Sequence, residues 1–257
     1  MKVASYNIKN DGPTVDLLDN WTYRKKKFDK ILRSRSWDII GLQEVTETQK
    51  DYFLSLTEYA FIGDIRDSET GSEYNPILYK RDTFDLIDSK TSWLSKTPNV
   101  ESRDWEAACT RIFTWAKLVE KETRKEILFI STHFDHISEM ARSKSSELLI
   151  KFINSMQVQN VVLVGDFNAG PEEYYYKAIT ARLNDARQKV EYYVGPDVTC
   201  TGRDFCHNIK WDDMQSIDYI FTSNDVLLSR LEIVTDRIEG RYPSDHFAVE
   251  CELELGD

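Results

Sequence analysis

Val161-Val162-Leu163-Val164-Gly165-Asp166-Phe167-Asn168 is an apolar run that stops abruptly on polar residues. A short apolar run bounded by turn residues reads as a buried strand. Asp and Asn at such a position ordinarily cap backbone groups in the turn that follows. The same plan recurs along the chain. Asn7 closes a strand from Lys2 to Ile8, Glu44 follows Ile39-Ile40-Gly41-Leu42-Gln43, and His133 follows Ile127-Leu128-Phe129-Ile130-Ser131-Thr132. Asp218 interrupts Ser216-Ile217-Asp218-Tyr219-Ile220, where a buried carboxylate needs a partner, and Asp245-His246 precede the last strand. Each residue alone has a structural reading as a turn former, a solvated loop charge or a half-buried histidine. Together they are what a hydrolytic site requires.

Further strands are expected from Trp37 to Leu42, Pro76 to Tyr79, Phe84 to Leu94, Thr110 to Val119, Glu126 to Thr132, Ile217 to Thr222, Ser229 to Val234 and His246 to Leu253. In the fifth of these ten runs, Ile112, Thr114, Ala116 and Leu118 alternate with Arg111, Phe113, Trp115 and Lys117, and Lys121-Glu122-Thr123-Arg124 turns it into a hairpin. Helices are expected over Trp21 to Arg33, from the capping box of Thr46 and Gln49 to about Leu56, over Ser138 to Ser155, and over Glu172 to Arg182. No repeat or linker divides the 257 residues, so one domain, 1–257, is expected.

The balance of 33 basic against 44 acidic residues leaves −11, which repels a long nucleic acid backbone and favours a small or locally gripped substrate. No signal-like start and no run approaching roughly 18 apolar residues points to secretion or a membrane. Four scattered cysteines suit a reduced, cytoplasmic protein. Cys200, Cys206 and His207 match no closed four-ligand zinc pattern. The long stretches from Trp93 to Ala108 and from Val194 to Gln215 carry Trp93, Arg103 and Trp105, and Arg203, His207 and Trp211. Such side chains suit a ring-bearing phosphorylated ligand, and equally they peg a loop to the body.

Tyr6-Asn7-Ile8, Leu42-Gln43-Glu44, Ser131-Thr132-His133, Gly165-Asp166-Phe167-Asn168, Ile217-Asp218-Tyr219 and Ser244-Asp245-His246 resemble, in order, the motifs of the endonuclease/exonuclease/phosphatase superfamily, the deoxyribonuclease I-like fold. Tyr74-Asn75-Pro76-Ile77-Leu78-Tyr79, Trp93-Leu94-Ser95 and the tract from Arg103 to Arg111 look closest to its bacterial general phosphoesterases. The resemblance implies an α/β four-layered sandwich, two packed mixed β-sheets flanked by helices, with the site at one end. It also implies Mg²⁺ or Mn²⁺.

On this resemblance, Glu44 binds the metal, assisted by Asn7 and Asp245. Asp166 orients or deprotonates the attacking water, and Asn168 holds water or a phosphate oxygen. His246 contacts the phosphate with its ring held by Asp218, and Glu73 pairs with His133 as a second such couple. Arg111 faces the phosphate, its alternative being a surface arginine paired with an acid. The implied activity is metal-dependent hydrolysis of phosphate esters by in-line attack of water, on a phosphorylated small molecule or nucleotide-like substrate. A nuclease acting on short DNA or RNA is the alternative, and a catalytically dead binding protein the third reading. No membrane and no obligate protein partner is expected.

Overall fold

The computed structural model describes residues 1–201 and 215–257. Its strands are β1 (Lys2–Asn7), β2 (Ile39–Gln43), β3 (Tyr59–Ile62), β4 (Ile77–Lys80), β5 (Phe84–Trp93), β6 (Ile112–Glu120), β7 (Glu126–His133), β8 (Asn160–Asp166), β9 (Asn184–Asp185), β10 (Tyr192–Val194), β11 (Asp218–Thr222), β12 (Leu227–Val234) and β13 (Ala248–Glu254). The helices are α1 (Trp21–Arg35), α2 (Glu47–Leu54), α3 (Glu139–Met156), α4 (Tyr174–Thr180) and α5 (Ala186–Lys189).

Two sheets form, in the orders β10-β12-β13-β1-β2-β4-β3 and β5-β6-β7-β8-β11-β9. Both are mixed. The pairs β1–β2 and β7–β8 are parallel, whereas β1–β13 and β8–β11 are antiparallel. Three apolar cores separate four layers. Val3, Ile39 and Ile77 of the first sheet meet Phe129, Val164 and Ile220 of the second. Ala4, Tyr6, Ile40 and Leu42 on the other side of the first sheet pack under Phe28, Leu32 and Phe53 of α1 and α2. Leu128, Ile130 and Leu163 on the outer face of the second sheet pack under Leu149, Ile153 and Tyr175 of α3 and α4. The expected four-layered sandwich is what forms.

Because each central strand is buried on both faces, its apolar run is continuous, and parity alone decides which core a residue enters. In β1, Val3 and Ser5 face the other sheet, and Asn7 shares their parity. In β7 and β8, Phe129 and Val164 do so, with His133 and Asp166 two strand periods and one period further on. His133 therefore pairs with Asp166, and Asp166 with Asp218, across three neighbouring strands. Small residues let the sheets close up beneath this end. A Cβ on Gly41 would lie 2.3 Å from Val164 Cγ2 and 2.9 Å from Ser131 Oγ.

The capping box at Thr46 and Gln49, the hairpin through Lys121–Arg124 and the alternating faces of β6 are present. The sequence reading passed over β3, β9 and β10. The first carries only four residues, half of them partly exposed, and the other two are shorter still.

Candidate active site

Asn7, Glu44, His133, Asp166, Asp218, Asp245 and His246 meet at one end of the sandwich. There Glu44, His133, Asp166, Asp245 and His246 line a cleft of about 390 Å³ together with Lys9, Arg66, Glu73, Arg111 and Asn168, while Asn7 and Asp218 stand behind its wall, bonded to Asp166 and to His246. Asn7 is fully buried and ties two carboxylates together, its Nδ2 donating to Asp166 Oδ2 at 2.9 Å and to Glu44 Oε1 at 3.1 Å. Its Oδ1 accepts from the Lys9 backbone N–H at 3.1 Å. Asn7, expected to assist a metal, is thus placed as a donor that organises Glu44 and Asp166.

Glu44 stands just beyond β2 with φ +61, and Asn168 just beyond β8 with φ +54. Non-glycine residues held in the left-handed region cost free energy and cluster where geometry matters for function. In Glu44 this turns the carboxylate back over the strand ends, where Oε2 accepts from Asn10 N and Nδ2 at 3.1 and 3.0 Å. Burial alone pushes the Glu44 carboxyl up, but the Lys9 ammonium, His246 and the amides of Asn7 and Asn10 outweigh it and leave it below its ordinary value. In Asn168 the backbone N–H donates to Asp166 Oδ1 at 2.9 Å. The Asn168 Nδ2 donates to the Phe134 carbonyl at 3.0 Å and lies 2.9 Å from His133 Nε2.

The two histidines shift in opposite directions. His246 Nδ1 hydrogen-bonds Asp218 Oδ2 at 2.9 Å, and its Nε2 lies 3.8 Å from Asp166 Oδ2. Burial would lower the imidazole, yet the charge and hydrogen bond of Asp218 override it and hold His246 well above its ordinary value. His133 is held well below its own, first by burial and then by the positive charge of Arg111 and Arg66. Asp166 lies between them, 3.4 Å from His133 Nε2, and burial followed by the Asp218 charge pushes it up to about 7.

Arg111 precedes β6 and is 6% exposed. Its NH2 donates to His136 Nδ1 at 3.0 Å, and Nε lies 3.7 Å from Asp135 Oδ2. Its Nε and NH1 are buried with no hydrogen-bond partner among the described residues. Arg111 is thus buried rather than on the surface, with an acid, Asp135, within ion-pair distance and two unpartnered guanidinium nitrogens beside the cleft.

The expected pairing of Glu73 with His133 is corrected. Glu73 Oε2 accepts from Arg66 NH1 at 2.8 Å and Oε1 from Asn10 Nδ2 at 3.2 Å, while His133 faces Asn168 and Asp166. The connection from β3 to β4 folds Arg66 across Glu73, and a guanidinium is the stronger partner for a carboxylate than a neutral imidazole. Lys9, Asn10, Arg66 and His136 escaped the sequence reading. Lys9 and Asn10, within three residues of Asn7, and His136, three residues after His133, carried a signal of proximity, whereas Arg66 did not. Trp93 and Arg103 peg their loop, donating to the carbonyls of Arg66 and Ala108 at 2.9 and 3.1 Å, and Trp105 lies outside the cleft. Arg203, Cys206, His207 and Trp211 fall outside the described residues.

Besides Cys109, Asp135 and His136, which lie within 4.8 Å of one another, two sets of residues at the strand ends offer ligand atoms to a divalent cation. Glu44 and Asp245 present hard carboxylate oxygens to one point, where the Lys9 ammonium stands 3.7 and 3.8 Å from them. Asp166, Asp218 and His246 bring three ligand-capable atoms within 4.8 Å of one another, although the hydrogen bond between His246 and Asp218 already spends two of them.

The sequence matches the profile of the Endonuclease/Exonuclease/phosphatase family over residues 4–246. The structure is similar to that of an endonuclease/exonuclease/phosphatase from Bacteroides vulgatus, at 36% identity and a TM-score of 0.91, covering 99% of this chain and 98% of the other. It is also similar to a mannosyl-6-phosphatase of Bacteroides thetaiotaomicron, at 31% identity and a TM-score of 0.90, covering 99% and 100%. Drosophila melanogaster Nocturnin is 25% identical over 284 residues, 91% of this chain, which spans only 42% of Nocturnin. Motifs, strand-end geometry and relatives agree, and the chain belongs to the Endonuclease/Exonuclease/phosphatase family.

Proposed function

We propose that the chain, acting as a single domain, is a divalent-metal-dependent hydrolase that directs water onto the phosphorus of a small phosphorylated substrate, in the first place a sugar monophosphate. The observation that carries the reading is the meeting of Asp166, His133, His246 and Arg111 around one cleft, with His246 shifted up by Asp218 and His133 shifted down by burial.

Asp166, ionised above about pH 7, orients the attacking water and takes its proton. His246 Nε2 and the Arg111 guanidinium answer the negative charge that spreads over the phosphate oxygens during the displacement. Asp218 keeps His246 charged and its ring in place. Mg²⁺ or Mn²⁺, bound by Glu44 and Asp245, would neutralise further phosphate charge and polarise the phosphorus centre.

A cleft of about 390 Å³ suits a hexose phosphate, the net charge of −11 opposes a long polyanion, and the mannosyl-6-phosphatase is similar along its whole length. A reduced, cytoplasmic setting belongs to the same reading, with Cys109, Cys200 and Cys251 free. Among the described residues no helix is long and apolar enough to cross a membrane.

The test is phosphate release from hexose 6-phosphates, nucleoside monophosphates, bis-p-nitrophenyl phosphate and a short oligonucleotide with Mn²⁺ or Mg²⁺. Sugar monophosphates are expected to react fastest, with EDTA abolishing release and Asp166→Asn lowering turnover by roughly 10² to 10⁴. Oligonucleotide cleavage outrunning every monoester would make the protein a nuclease, and no hydrolysis of any ester a binding protein.

A further inference from the structure

Lys9 has no part in the chemistry above, yet its backbone is among the most firmly held in the site. It sits in the left-handed region at φ +59, and its N–H donates to Asn7. Its carbonyl accepts from Arg24 NH2 at 2.9 Å and from Gln49 Nε2 at 2.8 Å. Arg24, 1% exposed, also donates to the carbonyls of Ile8 and Asn10 at 2.6 and 2.8 Å, so the whole turn is pinned from below. A pinned turn fixes where the Lys9 stem departs.

That stem carries the ammonium between two carboxylates of different strands. Its distances of 3.7 Å to Glu44 Oε2 and 3.8 Å to Asp245 Oδ2 are within ion-pair range but beyond hydrogen-bond length. Arg66–Glu73 at 2.8 Å and Arg142–Glu173 at 2.7 Å are tighter pairs of the same molecule. The Lys9 side chain is 27% exposed, whereas those of Glu44 and Asp245 are 15% and 6% exposed. Two nearly buried like charges facing one point repel unless a cation stands between them. Here that cation is loose, flexible and open to solvent on one side.

We propose that Lys9 is a tethered counter-ion that holds the cation position between Glu44 and Asp245, and that a divalent metal binds there by displacing its ammonium into the mouth of the cleft. The inference rests on reading Glu44 and Asp245 as the metal ligands. Lys9 then does two things. It keeps the carboxylates from separating in the metal-free protein, and it competes with the metal, setting the affinity lower than the bare pair would have.

The experiment is Mn²⁺ binding to the full chain, followed by electron paramagnetic resonance and calorimetry, with melting curves in EDTA and in Mn²⁺. Lys9→Met is expected to bind Mn²⁺ about tenfold more tightly than wild type, the worth of one partly screened ion pair. It is also expected to melt lower than wild type in EDTA and to gain more from Mn²⁺. Lys9→Gln, the second neutral variant, is expected to fall on the same side, and Lys9→Arg to bind no tighter than wild type. Mn²⁺ affinity unchanged or weakened in both neutral variants, with Glu44→Gln still weakening it, would overturn the counter-ion and leave the metal ligands standing. Binding untouched by Glu44→Gln and Asp245→Asn would remove the ligand assignment and the counter-ion with it.

Discussion

His133 and His246 both approach the same oxygen of Asp166, at 3.4 and 3.8 Å, and shift in opposite directions, His133 down by burial and nearby arginines and His246 up by the carboxylate behind it. Asp218 supplies that difference, and its charge also raises Asp166 toward neutrality. Asp166 works as a base only when ionised, so kcat/KM is expected to fall as pH drops through about 7. Removing the Asp218 charge in Asp218→Asn takes away a raising influence and is expected to move this limb to lower pH, while lowering the maximum through loss of protonated His246. The pH profiles of wild type and variant check it, and a limb in the ordinary carboxylate range in the wild type contradicts the assignment. These roles were legible only in part. Asp166, His246 and Asp218 announce themselves by motif, whereas the partner of Glu73 does not, because Arg66 reaches it through a turn with no periodic pattern.

At the scale of elements, the site exists because strands of two sheets end at one level with matching parity. Period-two alternation puts Asn7, His133, Asp166 and Asp218 on the inner faces, and the apolar runs before them were readable as strands for the same reason. The edge strands are short: β3 is an apolar run of only four residues and β9 and β10 are shorter still, too short for a period to show. Gly41 marks a close approach of the two sheets. Its missing Cβ would meet stiff Val164 Cγ2 at 2.3 Å, so Gly41→Ala is expected to destabilise the fold by about 1–3 kcal/mol through overpacking. Thermal unfolding should then begin several degrees lower, and a melting temperature equal to wild type would show that the sheets have room there.

For the whole molecule, a strongly acidic chain gathers Lys9, Arg66 and Arg111 at one cleft, where Glu44, Glu73, Asp166 and Asp245 stand among them. Screening confines such charges to about 10 Å, so the −11 of the chain opposes a long polyanion while a compact anion is gripped locally. The central claim is that this cleft activates water against phosphorus. It is tested most directly by hydrolysing a sugar monophosphate in ¹⁸O-enriched water with Mn²⁺ and weighing both products by mass spectrometry. The account predicts one solvent oxygen in each released phosphate and none in the sugar, with the reaction stopped by EDTA. Label in the sugar, or release undiminished by EDTA, would contradict it.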